Sequence, residues 1–161
     1  DRDEAAREAL REPFLEIYAA AVSAHSTPFD GIESVLAAIE AAGARWGIVS
    51  NKPYYLAVDV VAAMGWTSRC AVLLGGDSLP KRKPDPEQLF AAAAALRVSP
   101  GDCVYVGDDE RDIVAAQRAG MQSVAALWGY RLDHEDPHSW AADAMVEAPV
   151  GLLAPGVMAR R

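Results

Sequence analysis

At 161 residues and 52% hydrophobic composition, the chain has the size of one compact α/β domain with a buried core. Acidic residues outnumber basic ones 23 to 15, for a formal charge of −8, which argues against nucleic acid or an anionic membrane surface as a partner and leaves small ligands. Cys70 and Cys103 stand alone, without a CxxC pair, so a disulfide framework or a zinc knuckle is excluded and the cytoplasm is the expected compartment. The longest apolar run, Leu89 to Leu96, is far short of a bilayer span, and the opening "DRDEAAREALRE" lacks the layout of a signal peptide.

In chain order, Leu10, Phe14, Ile17, Tyr18 and Ala21 recur at helical spacing, so residues 4–23 are expected to form an amphipathic helix that ends before a hinge at "HSTPFDG". Ile32, Val35, Leu36 and Ile39 predict a second helix, stopped at Gly43. "RWGIVS" follows as a short apolar run suited to a strand covered on both faces. The alternation then continues. A helix carrying Leu56, Val60, Val61 and Met64 precedes the strand "AVLLG"; a helix from about Pro86 to Leu96 precedes "CVYVG"; a helix from about Asp112 to Ala119 precedes "QSVAAL". Strand and helix alternating from residue 31 to 127 imply right-handed βαβ units, a parallel sheet, and ligands beyond the carboxyl ends of its strands. Apart from the alanines at 91–95, the chain has no low-complexity segment, and it has no internal repeat.

This arrangement collects polar residues on one edge. Ser50 and Asn51 end the first strand, Lys81, Arg82 and Lys83 with "KPDP" follow the second, and Asp108, Asp109 and Asp112 end the third. A hydroxyl and backbone N–H groups at a strand-to-helix turn suit a phosphate, a lysine neutralises it, and strand-end carboxylates suit a hard cation such as Mg²⁺. Each group has a plainer alternative: Ser50 as a helix cap, the basic run as a solvated loop, Asp109 and Asp112 as favourable charges at a helix N-terminus. The order and complementarity of the three groups favour a phosphate site with a metal.

"GIVSNK", "KRKPDP" and "VYVGDDERDIVAAQRAG" resemble the second, third and fourth motifs of the haloacid dehalogenase-like phosphohydrolases, in the family's order and at about its separations. Within the family the chain is similar to the phosphoglycolate phosphatase group from about Phe29 to Val146, and the tail "LWGYRLDHEDPHSWAADAMV" looks like relatives that dephosphorylate N-acetylmuramic acid 6-phosphate. The resemblance implies a Rossmann-like three-layer core and a Mg²⁺-dependent phosphatase of small phosphorylated metabolites. In that mechanism an aspartate attacks phosphorus, and water hydrolyses the resulting phosphoaspartate. It implies that Ser50 and Asn51 hold the phosphate and that Lys83, before Pro84, stabilises charge on phosphoryl group and nucleophile. It further implies that Asp108 binds the metal and that Asp112 orients the metal's waters. Asp109 is then a cap or an outer group.

One family element is missing from the sequence. The first motif, an apolar strand running into DxDGT, is absent; "PFDGIES" offers Phe29-Asp30-Gly31 without the strand or the second aspartate, so Asp30 is expected to be a hinge or helix-cap residue. By the resemblance, residues 1–28 are the last part of a helical cap and residues 29–161 a core lacking its first strand, which belongs between the strands ending at Ser50 and Gly107. A truncated chain, with the nucleophile upstream, is therefore expected. Trp46, Trp66, Trp128 and Trp140 read as packing residues, and Cys103 as an inert thiol at the start of a buried strand. His25, His134 and His138 lack ligand spacing, although the last two follow a strand end near the expected substrate mouth. A receiver-type signalling domain is opposed by the order Ser, Lys, Asp; a dinucleotide binder by the lack of GxGxxG. A non-catalytic remnant that binds phosphate and Mg²⁺, and a homo-oligomer, stay open.

Overall fold

The computed structural model describes residues 27–130 and 135–158, together with Ala6, Ala9, Leu10 and Pro13, which are helical. The remainder of the helix expected over 4–23, and His25 and His134, lie outside the described residues. Among residues 27–130 and 135–158 the described helices and strands are α1 (Ile32–Ala41), β1 (Ile48–Val49), α2 (Tyr54–Ala63), β2 (Leu73–Leu74), α3 (Glu87–Leu96), β3 (Val104–Gly107), α4 (Glu110–Ala119), β4 (Gln122–Ala126) and β5 (Ala144–Val146). All strand pairs are parallel, β1 with β2 and β3–β4–β5 in that order.

Strand alternation sorts the core into two faces. On one face of β4, Val124 packs with Val35 of α1, Val146 of β5 and Leu152, and Val104 and Val106 of β3 join them. Its neighbour Ala125 points the other way, onto Ile113 of α4 and Trp140. On that second face α3 and α4 meet through Leu89, Ala93, Ala115, Ala116, Ala119 and Met121. The alanine run of α3 thus lets two helix backbones approach closely over a shared core.

Local signals explain the boundaries. The α4 helix starts two residues before the expected Asp112, because Asp109 is its N-cap and accepts a 2.8 Å bond from the Arg111 N–H. Gly120, at φ 71°, ends it. Gly31, at φ 90°, is the N-cap of α1, so the expected cap role does not fall to Asp30, an exposed turn residue. A Cβ on Gly31 would come within 2.9 Å of Val150. Strand β5 extends the parallel sheet beyond the alternation expected to end at 127, with Val124 to Ala126 in register with Ala144 to Val146.

Trp46 and Trp140 are buried, Trp128 packs on the Val35 cluster, and Trp46 meets Trp66 edge-on at 5.6 Å. All four are packing residues, as expected. Trp46 donates to Glu40, and Arg69 bonds both Glu33 and Glu40, tying α1 to the β1–β2 side. These exposed ion pairs add little individually. Cys103 is only partly buried, a correction to its expected place in a covered strand: β3 begins one residue later, and its thiol, pushed up by burial and by Asp102, lies 3.5 Å from the Ser99 carbonyl.

The described sheet falls into two parts. Ile48 and Ser50 donate to Val72 and Leu74 carbonyls on the β2 side, which turns the backbone groups of Val49 toward β3. Among the described residues no strand pairs with that edge of β1 or with the edge of β3 away from β4. The Val49 carbonyl instead accepts side-chain bonds from Lys83 and Tyr105.

Candidate active site

The site lies at the carboxyl ends of β1, β2 and β3, where helix N-termini and turn N–H groups converge. Lys83 is its centre. Of the three consecutive cations, Lys81 and Arg82 are exposed while Lys83 is 8% exposed. Its ammonium has three donors and meets three acceptors: Asp112 Oδ1 at 2.7 Å, Val49 O at 2.8 Å and the Tyr105 hydroxyl at 2.7 Å. Asp112 is itself 7% exposed. The pair therefore sits where removing either partner strands a desolvated charge.

Tyr105 escaped the sequence reading. Its hydroxyl accepts from Lys83 and donates to Val49 O at 2.9 Å. Burial first, then the negative charge of Asp112 and Asp108, pushes the phenol well above the usual tyrosine range, so it stays protonated. The available signal was a lone hydroxyl inside the apolar run "CVYVG", which must find a partner when buried.

The Ser50–Asn51 side is a set of loops bonded to one another. Ser50 Oγ accepts from the Lys52 N–H at 3.1 Å, and Asn51 donates to the Lys83 carbonyl at 3.0 Å, joining the loop after β1 to the loop after β2. Among the described residues Asn51 Oδ1 is buried without a hydrogen-bond partner. Asp77 accepts from the Tyr54 N–H at 2.7 Å at the start of α2, and Gly76 N–H donates to Lys52 O at 2.7 Å. A side chain on Gly76 would run into the Asn51 carbonyl, 2.2 Å from its Cβ, so glycine is needed for the two loops to touch. Buried Gln88 supports them from below, donating to Gly75 O at 2.6 Å.

On the acidic side the three aspartates have separate roles. Asp109 turns outward as the α4 cap, and its bonds to the Arg111 guanidinium hold its carboxyl below the ordinary aspartate range. Asp112 faces inward to Lys83. Asp108 accepts from the Tyr130 N–H through Oδ2 at 2.9 Å, and among the described residues Oδ1 takes no hydrogen bond. One strand-end carboxylate with a spare oxygen, and a second one turn along α4, match the donors Mg²⁺ uses, one or two carboxylates completed by waters and phosphate oxygens. The described residues contain no group of three potential ligands, and Mg²⁺ does not require one.

The structure thus brings Ser50, Asn51, Lys83, Asp108 and Asp112 to one edge, as expected from their strand-end positions. Asp30 is not joined to them by any described bond. His138 is exposed in a short turn with its N–H donating to Asp136 at 3.0 Å, rather than held in the site.

A parallel α/β core with hydroxyl, lysine and aspartates in this order on one edge defines a core of the Rossmann-like class. The family description "Haloacid dehalogenase-like hydrolase" matches residues 2–126, and the chain belongs to that family. It is 56% identical over 153 residues to the phosphoglycolate phosphatase of Xanthomonas campestris pv. campestris, covering 95% of this chain and 69% of that protein. It is 39% identical over 146 residues to the N-acetylmuramic acid 6-phosphate phosphatase of Pseudomonas aeruginosa, covering 91% of this chain and 65% of that protein. Among solved structures, CbbY from Rhodobacter sphaeroides in complex with phosphate shares the fold, with a TM-score of 0.77 at 22% identity over 89% of this chain and 64% of that chain.

Proposed function

We propose that this protein is a Mg²⁺-dependent phosphomonoester hydrolase of small phosphorylated metabolites, acting on 2-phosphoglycolate in preference to N-acetylmuramic acid 6-phosphate. The observation that carries this reading is the buried Lys83, held by Asp112, Tyr105 and Val49 between the Ser50–Asn51 turn and Asp108. The names and relative identities of the two relatives support the choice of substrate.

Within this reading each residue has a chemical task. Ser50 and the N–H groups of the following turn grip the phosphate oxygens. Lys83, already oriented, offsets negative charge as the phosphoryl group is transferred, without reorganising at the moment of reaction. Asp108 and Asp112 would hold the cation, which supplies charge neutralisation and alignment of the phosphate. The sequence contains no DxDGT motif. We place the attacking aspartate on a strand outside residues 1–161, entering between the edges of β1 and β3 that no described strand pairs with. That reading is favoured by the Val49 carbonyl, which faces the gap and takes side-chain donors.

The test is phosphate release by the intact protein from the two phosphoesters, with Mg²⁺ and with chelator, beside the same assay on residues 1–161 alone. The expected result is Mg²⁺-dependent release by the intact protein, faster with 2-phosphoglycolate, and negligible release by residues 1–161. Rapid chelator-insensitive release refutes the metal. Rapid release by a folded 1–161 monomer refutes the external nucleophile and directs attention to Asp30.

A further inference from the structure

Beyond the motif residues, one short turn controls the geometry of Asp108. After β4 the chain passes through Trp128, Gly129 and Tyr130, directly over the end of β3. The Tyr130 N–H occupies Asp108 Oδ2 at 2.9 Å. The Gly129 backbone lies flat on the same side chain: an added Cβ would stand 2.1 Å from Asp108 Cβ, 2.6 Å from its Cγ and 2.3 Å from Oδ2. Those distances are too short for the carboxylate to yield by moving only its tip. Asp112 is seated in the same manner on Gly107, where a Cβ would lie 2.3 Å from Asp112 Cβ and 2.4 Å from its Oδ2. Gly107 is adjacent in sequence to the aspartates, whereas Gly129 comes from the next βα connection.

We propose that the Gly129–Tyr130 turn is the positioning element of Asp108: the Tyr130 N–H ties up one carboxylate oxygen and the bare Gly129 backbone sets the side chain's direction, so that Oδ1 alone is presented to the cation. The inference rests on Asp108 as the metal-side carboxylate. The Tyr130 ring has no part in it. Tyr130 is 87% exposed and its ring leans on Phe29 at 5.7 Å, so the turn acts through its backbone. A hydrogen bond to one oxygen fixes the rotamer of a short side chain and leaves Oδ1 as the oxygen with both lone pairs open to the metal. Outer partners of metal ligands of this type are worth about 10–100-fold in affinity.

The experiment uses the intact protein without substrate. Mg²⁺ affinity is measured by calorimetric titration for wild type, Gly129→Ala, Tyr130→Pro, Tyr130→Ala and Asp108→Asn, with the apo melting temperature of each. Tyr130→Pro removes the N–H, and Tyr130→Ala keeps it. Gly129→Ala and Tyr130→Pro are expected to bind Mg²⁺ about 10–100-fold more weakly, while Tyr130→Ala stays within about twofold of wild type by the same reasoning. Wild-type affinity in both Gly129→Ala and Tyr130→Pro overturns the proposal, as does an equal loss in Tyr130→Ala. Where Gly129→Ala melts early, the double variant with Asp108→Ala separates the cases: recovery of the melting temperature supports the proposed seat, and no recovery overturns it. Unaltered binding by Asp108→Asn would instead defeat the metal assignment itself, so the two failures are distinguishable.

Discussion

Replacing Lys83 by Met tests both the packing and the chemistry of the site. The methionine fills nearly the same volume but donates nothing, so Asp112 Oδ1 and the Tyr105 hydroxyl lose the Lys83 donor, and Val49 O keeps only its bond from Tyr105. The largest cost is Asp112, 7% exposed and left without its cation. Breaking a buried pair from one side typically costs about 3–5 kcal/mol. At about 2–4 °C per kcal/mol for a chain of this size, the melting temperature of Lys83→Met should fall by roughly 6–20 °C. Adding Asp112→Asn removes the stranded charge and should recover most of that fall without restoring catalysis. In kinetics, loss of one preorganised charge-stabilising group should lower kcat by about a hundredfold or more. The measurements are thermal melts of the single and double variants, and steady-state rates at a temperature where both are folded. An unchanged melting temperature would show that Lys83 is not paired with Asp112 as described, and a defect confined to KM would reduce Lys83 to attracting substrate.

Asp108→Asn should abolish turnover at ordinary Mg²⁺ while leaving circular dichroism unchanged; wild-type rates with p-nitrophenyl phosphate would remove Asp108 from the site. Tyr105→Phe should alter the alkaline limb of stability. Because the folded protein holds the Tyr105 proton above the value of the unfolded chain, wild-type stability is whole below about pH 10 and declines as pH rises beyond it. The Phe variant, though less stable at neutral pH through its lost hydrogen bond, should show a shallower decline in melts between neutral and strongly alkaline pH; parallel curves would contradict the assignment. Asp109→Ala should cost about 1 kcal/mol through the lost α4 cap, read from urea melts, with little change in kcat. A large kcat loss with intact stability would place Asp109 in the chemistry instead.

The alternating helix and strand patterns, with a glycine stop at Gly43, were enough to predict a parallel α/β core. The same alternation placed Ser50, Lys83 and Asp108 at strand ends on one edge. These are local properties: side-chain period and turn chemistry act within a few residues, and parallel strands joined by right-handed crossovers must carry their ends to the same side. Charge patterning alone does not say which cation of Lys81-Arg82-Lys83 turns inward, since a run of like charges carries no direction; the family resemblance was what singled out Lys83. Its inward turn is set by acceptors distant in the chain, Val49, Tyr105 and Asp112. Nor did spacing separate Asp109 from its neighbours; the helix start did, by making it a cap. Tyr105 looked like one more apolar strand residue until its hydroxyl met Val49 O across the gap between β1 and β3. Gly129 and Tyr130 lie more than twenty residues beyond Asp108, in the connection after a different strand. Only the parallel register of β3 with β4, Gly107 beside Ala125, brings that turn onto the carboxylate.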